Sequence, residues 1–192
     1  MKAFTYATLI VHFSIPLEAV SQHEKKSNTA AVMQFAGSTG SVTTGLFKSY
    51  RNELFQLGLQ YGYTPQKEND LHSVSLKALY NPYTVSISRK LEFHPLQTGV
   101  FVSQNFGRTL PILWSDHYPK HYYWWPPSLR SHFFLGTAAS VKPQSGVFSK
   151  ISLYFEANTN DLYLASFLDN KNHKTLTLYD IFFFGTGVKA WF

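Results

Sequence analysis

The chain has 192 residues and a net charge of +6, from 17 basic and 11 acidic side chains, and only 15% of it is charged, where a soluble domain carries about 25%. Its 17% aromatic content excludes a disordered chain, and a mean hydropathy of −0.16 excludes a bundle of membrane helices. With no cysteine there is no disulfide framework, thiolate metal site or cysteine nucleophile. The basic residues are scattered, Lys25-Lys26 being the densest run, so the clustered patch of a nucleic-acid partner is missing.

At the N-terminus, Lys2 precedes the mostly apolar, uncharged stretch Ala3 to Leu17. That length suits a secretory h-region and is too short for a spanning helix. Ala19-Val20-Ser21 supplies small residues for cleavage, so residues 1–21 are expected to be a signal peptide and 22–192 a single domain. The alternative is an ordinary first strand or buried helix.

The domain reads as strands. Between Glu53 and Thr64, Phe55, Leu57, Leu59, Tyr61 and Tyr63 share one face, opposite Gln56, Gly58, Gln60 and Gly62. This strict period of two gives one large apolar face and one small polar face. A soluble sandwich would carry charge on its second face; Gln and Gly suit a narrow barrel interior instead. Similar alternation runs through Val74, Leu76, Ala78 and Tyr80; through Leu129, Phe133 and Leu135; through Ile151, Leu153 and Phe155; and through Phe182, Phe184, Val188, Ala190 and Phe192. If that face meets lipid, Lys77, Arg130, His132, Glu156 and Lys189 point inward.

Eight strands are expected, near 30–37, 41–50, 53–64, 72–80, 97–107, 128–139, 149–158 and 178–192. The segment 83–93 could add a strand, which leaves ten open. Most are long enough for a tilted crossing, which takes about 9–11 residues. The fold expected is all-β: a closed, antiparallel, up-and-down transmembrane barrel. Turns at 51–52, 81–96 and 140–148 would face the periplasm. Loops at 38–40, 65–71, 108–127 and 159–177 would face outward, which puts the two longest connections outside.

With its signal-like start, its alternation and its final Phe192, the chain resembles small bacterial outer-membrane β-barrel proteins. The stretches Gly58–Pro65, Tyr118–Trp125 and the tail from Asn158 are similar to uncharacterised exported barrels. The resemblance implies a fold, an outer-membrane location with lipid and lipopolysaccharide as surroundings, and recognition of the last strand by the assembly machinery. Gly187, Ala190 and Phe192 match that assembly signal, while Gly185 stands where a polar residue is usual. No reaction is implied.

Two constellations stand out as sites. Lys77, Arg130, His132 and Glu156 would form a polar network in the lumen: a structural plug, or the lining of a gated pore or ligand site. The stretch Asp116–Pro127 carries Lys120, Tyr122, Tyr123, Trp124 and Trp125. These read as an interfacial aromatic belt or as a surface recognition patch with a phosphate-seeking lysine. His117 and His121 are spaced for a metal on a helix, but Pro119 opposes a helix. No metal or cofactor is expected.

Lipid A deacylases resemble this chain in size and use a Ser–His pair. Ser131–His132 and His72–Ser73 are adjacent here, so each pair is split across the two faces of its strand, and the His-x-Ser-Asn run typical of those enzymes is absent. A non-enzymatic barrel with a structural, surface-interaction or limited-permeation role is therefore expected first, a lipid A-modifying enzyme second, and a secreted calycin-like ligand carrier third. Residues 158–169 read either as a short helix capped by Asn160 or Asp161, or as a continuation of the seventh strand.

Overall fold

The computed structural model describes residues 28–67, 70–107, 126, 128–169 and 177–192. The expected signal peptide, residues 1–21, lies outside them. The elements in chain order are β1 (Thr29–Ala36), β2 (Val42–Tyr50), β3 (Phe55–Thr64), β4 (Leu71–Tyr80), β5 (Val85–Ser86), β6 (Leu91–Phe106), β7 (Leu129–Val141), β8 (Lys150–Asn160), α1 (Asp161–Asp169), α2 (Leu178–Ile181) and β9 (Phe183–Trp191).

Every pairing is antiparallel, and the sheet closes on itself. β4 pairs directly with β6, and β1 pairs with β9 from Ala30↔Trp191 to Ala36↔Gly185. The result is an eight-stranded closed barrel. β5 is only a short hook on the start of β6, with Val85 opposite Phe93 and Ser86 opposite Glu92. Residues 83–93 therefore add no stave to the barrel, and eight strands hold rather than ten.

Two strand boundaries differ from the sequence expectation. β6 begins six residues earlier, and its register with β7 shifts between His94 and Gln97. Pro95 lies in that gap; it lacks the N–H a ladder needs, so a bulge carries the strand past it. The last segment starts as the helical turn α2, and strand pairing begins only at Phe183. Thr177 and Asp180 form the cap of that turn: the Asp180 carboxylate accepts from the Thr177 N–H at 2.7 Å and from its hydroxyl at 2.8 Å. Between β8 and α1 both expectations are partly realised. β8 runs to Asn160, whose side chain then caps α1 by accepting from the Tyr163 N–H at 2.9 Å.

At one end, the turn end, residues 51–54 join β2 to β3, residues 81–90 join β4 to β6, and residues 142–149 join β7 to β8. At residues 51–53, Arg51, Asn52 and Glu53 all have positive φ, a left-handed turn made without glycine. At the opposite, loop end, the β1–β2 turn uses Gly37 at φ 91° and Gly40 at φ 144°.

Burial alternates along every stave. Gln56, Gly58, Gln60 and Gly62 of β3 are buried, while Phe55, Leu57, Leu59 and Tyr61 are exposed. The same inversion holds around the ring, with Leu46, Leu76, Leu135 and Leu153 each 54–62% exposed on the outside. Inside, Phe47 packs with Ala30, Val32, Ala138, Tyr154 and Trp191, and Leu79 packs with Phe101 and Phe134. Glycines make room for these rings. A Cβ on Gly58 would sit 2.4–2.6 Å from the Phe47 ring, its cross-strand partner.

Candidate functional site

The polar residues of the barrel converge on its lumen, where the described residues line a packed middle and a vestibule at each end. The middle is organised by a buried ion pair between the Lys77 ammonium and the Glu156 carboxylate. Lys77 comes from β4 and Glu156 from β8, both at inward positions of alternating strands. The other carboxylate oxygen of Glu156 accepts from the Gln34 amide at 3.2 Å, and Gln34 Oε1 accepts from the Tyr154 hydroxyl at 2.8 Å. Lys189 donates to Gln56 Oε1 at 2.9 Å. Aromatic faces complete the coordination of both ammonium groups: Lys77 lies 4.1 Å from the Phe134 centroid, and Lys189 lies 4.5 Å from that of Phe47. This satisfies the rule that a buried charge must be paired or hydrogen-bonded.

Toward the loop end, Arg130 and His132 occupy successive inward positions of β7. His132 is 3% exposed. Its ring stacks on Phe101 with centroids 4.2 Å apart and planes 5° apart, and its Nε2 lies 2.9 Å from Ser103 Oγ. Its Nδ1 is buried without a partner among the described residues. Both side chains border a vestibule of about 360 Å³.

At the turn end a second vestibule, of about 270 Å³, is edged by charges of both signs. Lys150 pairs with Glu53 and Lys142 with Glu92, while Glu92 also lies 3.8 Å from Lys150. Lys150 sits 4.9 Å over the Trp191 ring.

Of the four lumen residues singled out from sequence, the structure joins Lys77 to Glu156. It places Arg130 and His132 on the same wall nearer the loop end, with no ion pair from either to Glu156 among the described residues. Gly187 faces inward, where a Cβ would meet Met33 O and the Tyr154 ring at 2.6 Å. Ala190 is half-buried, and Phe192 follows β9 with its ring 5.5 Å from Phe148. Lys120, Tyr122, Tyr123, Trp124 and Trp125, with His117 and His121, lie outside the described residues. Among the described residues no three His, Asp or Glu side chains converge to hold a metal.

Sequence reading missed Gln34, Gln56 and Tyr154 as members of the network, and Ser103 as the partner of His132. Their alternation marks them as inward, but only the strand register brings them together. The Ser103–His132 contact has the reach of a nucleophile and its base. However, Ser103 is fully buried inside the lumen, and no carboxylate among the described residues orients Nδ1. The second adjacent pair diverges too: Ser73 faces inward, and His72 Nδ1 lies 2.6 Å from the Tyr61 hydroxyl on the outside. Compared with protein-family models and with curated proteins, the chain matches none.

Proposed function

We propose that the chain is an integral barrel of a bacterial outer membrane, with a structural or surface-interaction role and a lumen closed to free permeation. The observation that carries this reading is the inverted burial: large apolar side chains encircle the outside, and polar and charged ones fill the inside. Contiguous apolar surface of this extent is rare on a soluble monomer. Among the described strand residues, Lys48 is the one Lys, Arg, Asp or Glu on the outer face, two residues from Tyr50 at the turn end. A lysine there reaches the headgroup level along its own stem.

Two outward rows give the belt its height. Tyr50, Phe55 and Tyr80 are in register near the turn end. Phe35, Val42, Tyr63, His72 and Phe106 are in register near the loop end. From Phe55 to Tyr63 a strand covers about 27 Å; at a tilt of about 35–45° this spans roughly 20 Å of bilayer, near the apolar band of such barrels.

A closed lumen follows from the Lys77–Glu156 pair and the rings around it. Full-length protein refolded into phosphatidylcholine vesicles should float with them and stay bound at alkaline pH. In planar bilayers it should give no stable conductance steps. Protein left in the aqueous fraction would overturn the membrane reading; large, long-lived steps would overturn the closed lumen.

A further inference from the structure

We propose that the loop-end vestibule is a binding site for a small anionic group, a carboxylate or a phosphate, with Arg130 and His132 as its charged and hydrogen-bonding wall. The site requires the closed barrel and is independent of whether that barrel lies in a membrane.

Three observations carry this. The vestibule, at about 360 Å³, falls at the lower end of small-molecule pockets. Its described lining contains no carboxylate: Arg130 is the one Lys, Arg, Asp or Glu there, accompanied by His132 and the neutral Ser73, Asn105 and Asn160. The guanidinium has no ion-pair partner among the described residues.

The second observation is His132 itself. Stacking on Phe101 fixes the plane of its ring, and the contact with Ser103 occupies Nε2. In the tautomer in which the Ser103 hydroxyl donates to Nε2, the ring proton sits on Nδ1, the nitrogen left without a partner among the described residues. A buried donor with nothing to bond is a group prepared for a ligand or an ordered water. It stands on the same wall as a guanidinium, whose planar fork matches the two oxygens of a carboxylate or phosphate.

The third is charge balance. On the inner wall from the vestibule through the middle layer, Arg130 and Lys77 face Glu156 alone among the described carboxylates. Glu156 is committed to Lys77, and Lys189 bonds the neutral Gln56. A narrow, low-dielectric vestibule with uncompensated positive charge focuses its field on anions.

The test uses the folded full-length chain in a neutral maltoside micelle, with imidazole ¹⁵N shifts of His132 as the readout. Inorganic phosphate and acetate are titrated separately, and an anionic lysophospholipid is titrated in a third arm to separate a free anion from a lipid headgroup. A saturable shift with any of these, weakened about tenfold or more by Arg130→Gln, partly retained by Arg130→Lys, and unchanged by Lys142→Gln at the other vestibule, supports the site; the arm that saturates names the source. No saturable shift in any arm up to the high millimolar range, or saturation that Arg130→Gln leaves unchanged, overturns it. Retention of the heat-dependent gel mobility by each variant shows that a lost shift is not lost folding.

Discussion

Lys77 on β4 and Glu156 on β8 meet across the lumen from strands three staves apart, and both are almost completely buried. A pair in that setting is costly to break, because removing one partner leaves an unneutralised charge in low dielectric. Glu156→Gln should destabilise the barrel by about 3–5 kcal/mol, read as a lowered urea midpoint for unfolding from vesicles. The double replacement Lys77→Met with Glu156→Leu should recover most of that loss. A double variant as unstable as the single one would mean that the pair contributes more than mutual neutralisation.

The outer face gives the opposite kind of expectation. Leu59 is 59% exposed and sits midway between Phe55 and Tyr63. In a bilayer, Leu59→Arg should cost about 2–4 kcal/mol, measured by the same unfolding experiment. Lys48→Leu, near the edge of the belt, should be close to neutral. In a water-soluble barrel Leu59→Arg would instead be harmless and would improve solubility, so an unchanged midpoint contradicts the lipid-facing assignment.

Phe47 and Gly58 fill one volume together, as ring and absent side chain on neighbouring strands. Gly58→Ala forces the ring or the backbone to move, at about 1–3 kcal/mol for an overpacked site. In the background of Phe47→Leu the same change should cost less. Additive losses would show that Gly58 is needed for a reason other than the ring.

The cap of α2 supplies a pH dependence outside the strands. Hydrogen bonds from the Thr177 backbone N–H, and secondarily from its hydroxyl, hold the Asp180 carboxyl below the usual carboxylate range. A lowered value means that the stabilisation is complete above the unfolded carboxylate value and is lost as pH falls through the folded one. The Thr177 amide resonance should therefore shift together with Asp180, at a pH below the usual carboxylate range, while the barrel strands remain folded. Asp180→Asn should abolish that titration; a Thr177 titration that survives the change would assign it to another group.

Much of the barrel can be read from alternation alone, because the inside and outside of each stave demand opposite side chains. The Gln and Gly face of β3 and the inward positions of Lys77, Glu156 and Lys189 all follow from a period of two. What alternation does not carry is register. Nothing in the residues around Ser103 marks it as the partner of His132, nor Gln34 as the partner of Glu156, since both contacts depend on where one strand slides against others. Two boundaries also escaped. The fifth strand reads as starting at 97, although a bulge at Pro95 lets β6 begin at Leu91. The apolar residues from Leu178 onward read as strand, although a Thr177–Asp180 cap turns the first of them into α2.

Expression of the full-length chain in a Gram-negative host, followed by membrane fractionation and electrophoresis of boiled and unboiled samples, tests the central claim most directly. The expected result is a band in the outer-membrane fraction that runs differently with and without boiling, as a closed barrel does when it resists detergent. A soluble band with no heat-dependent shift would contradict it.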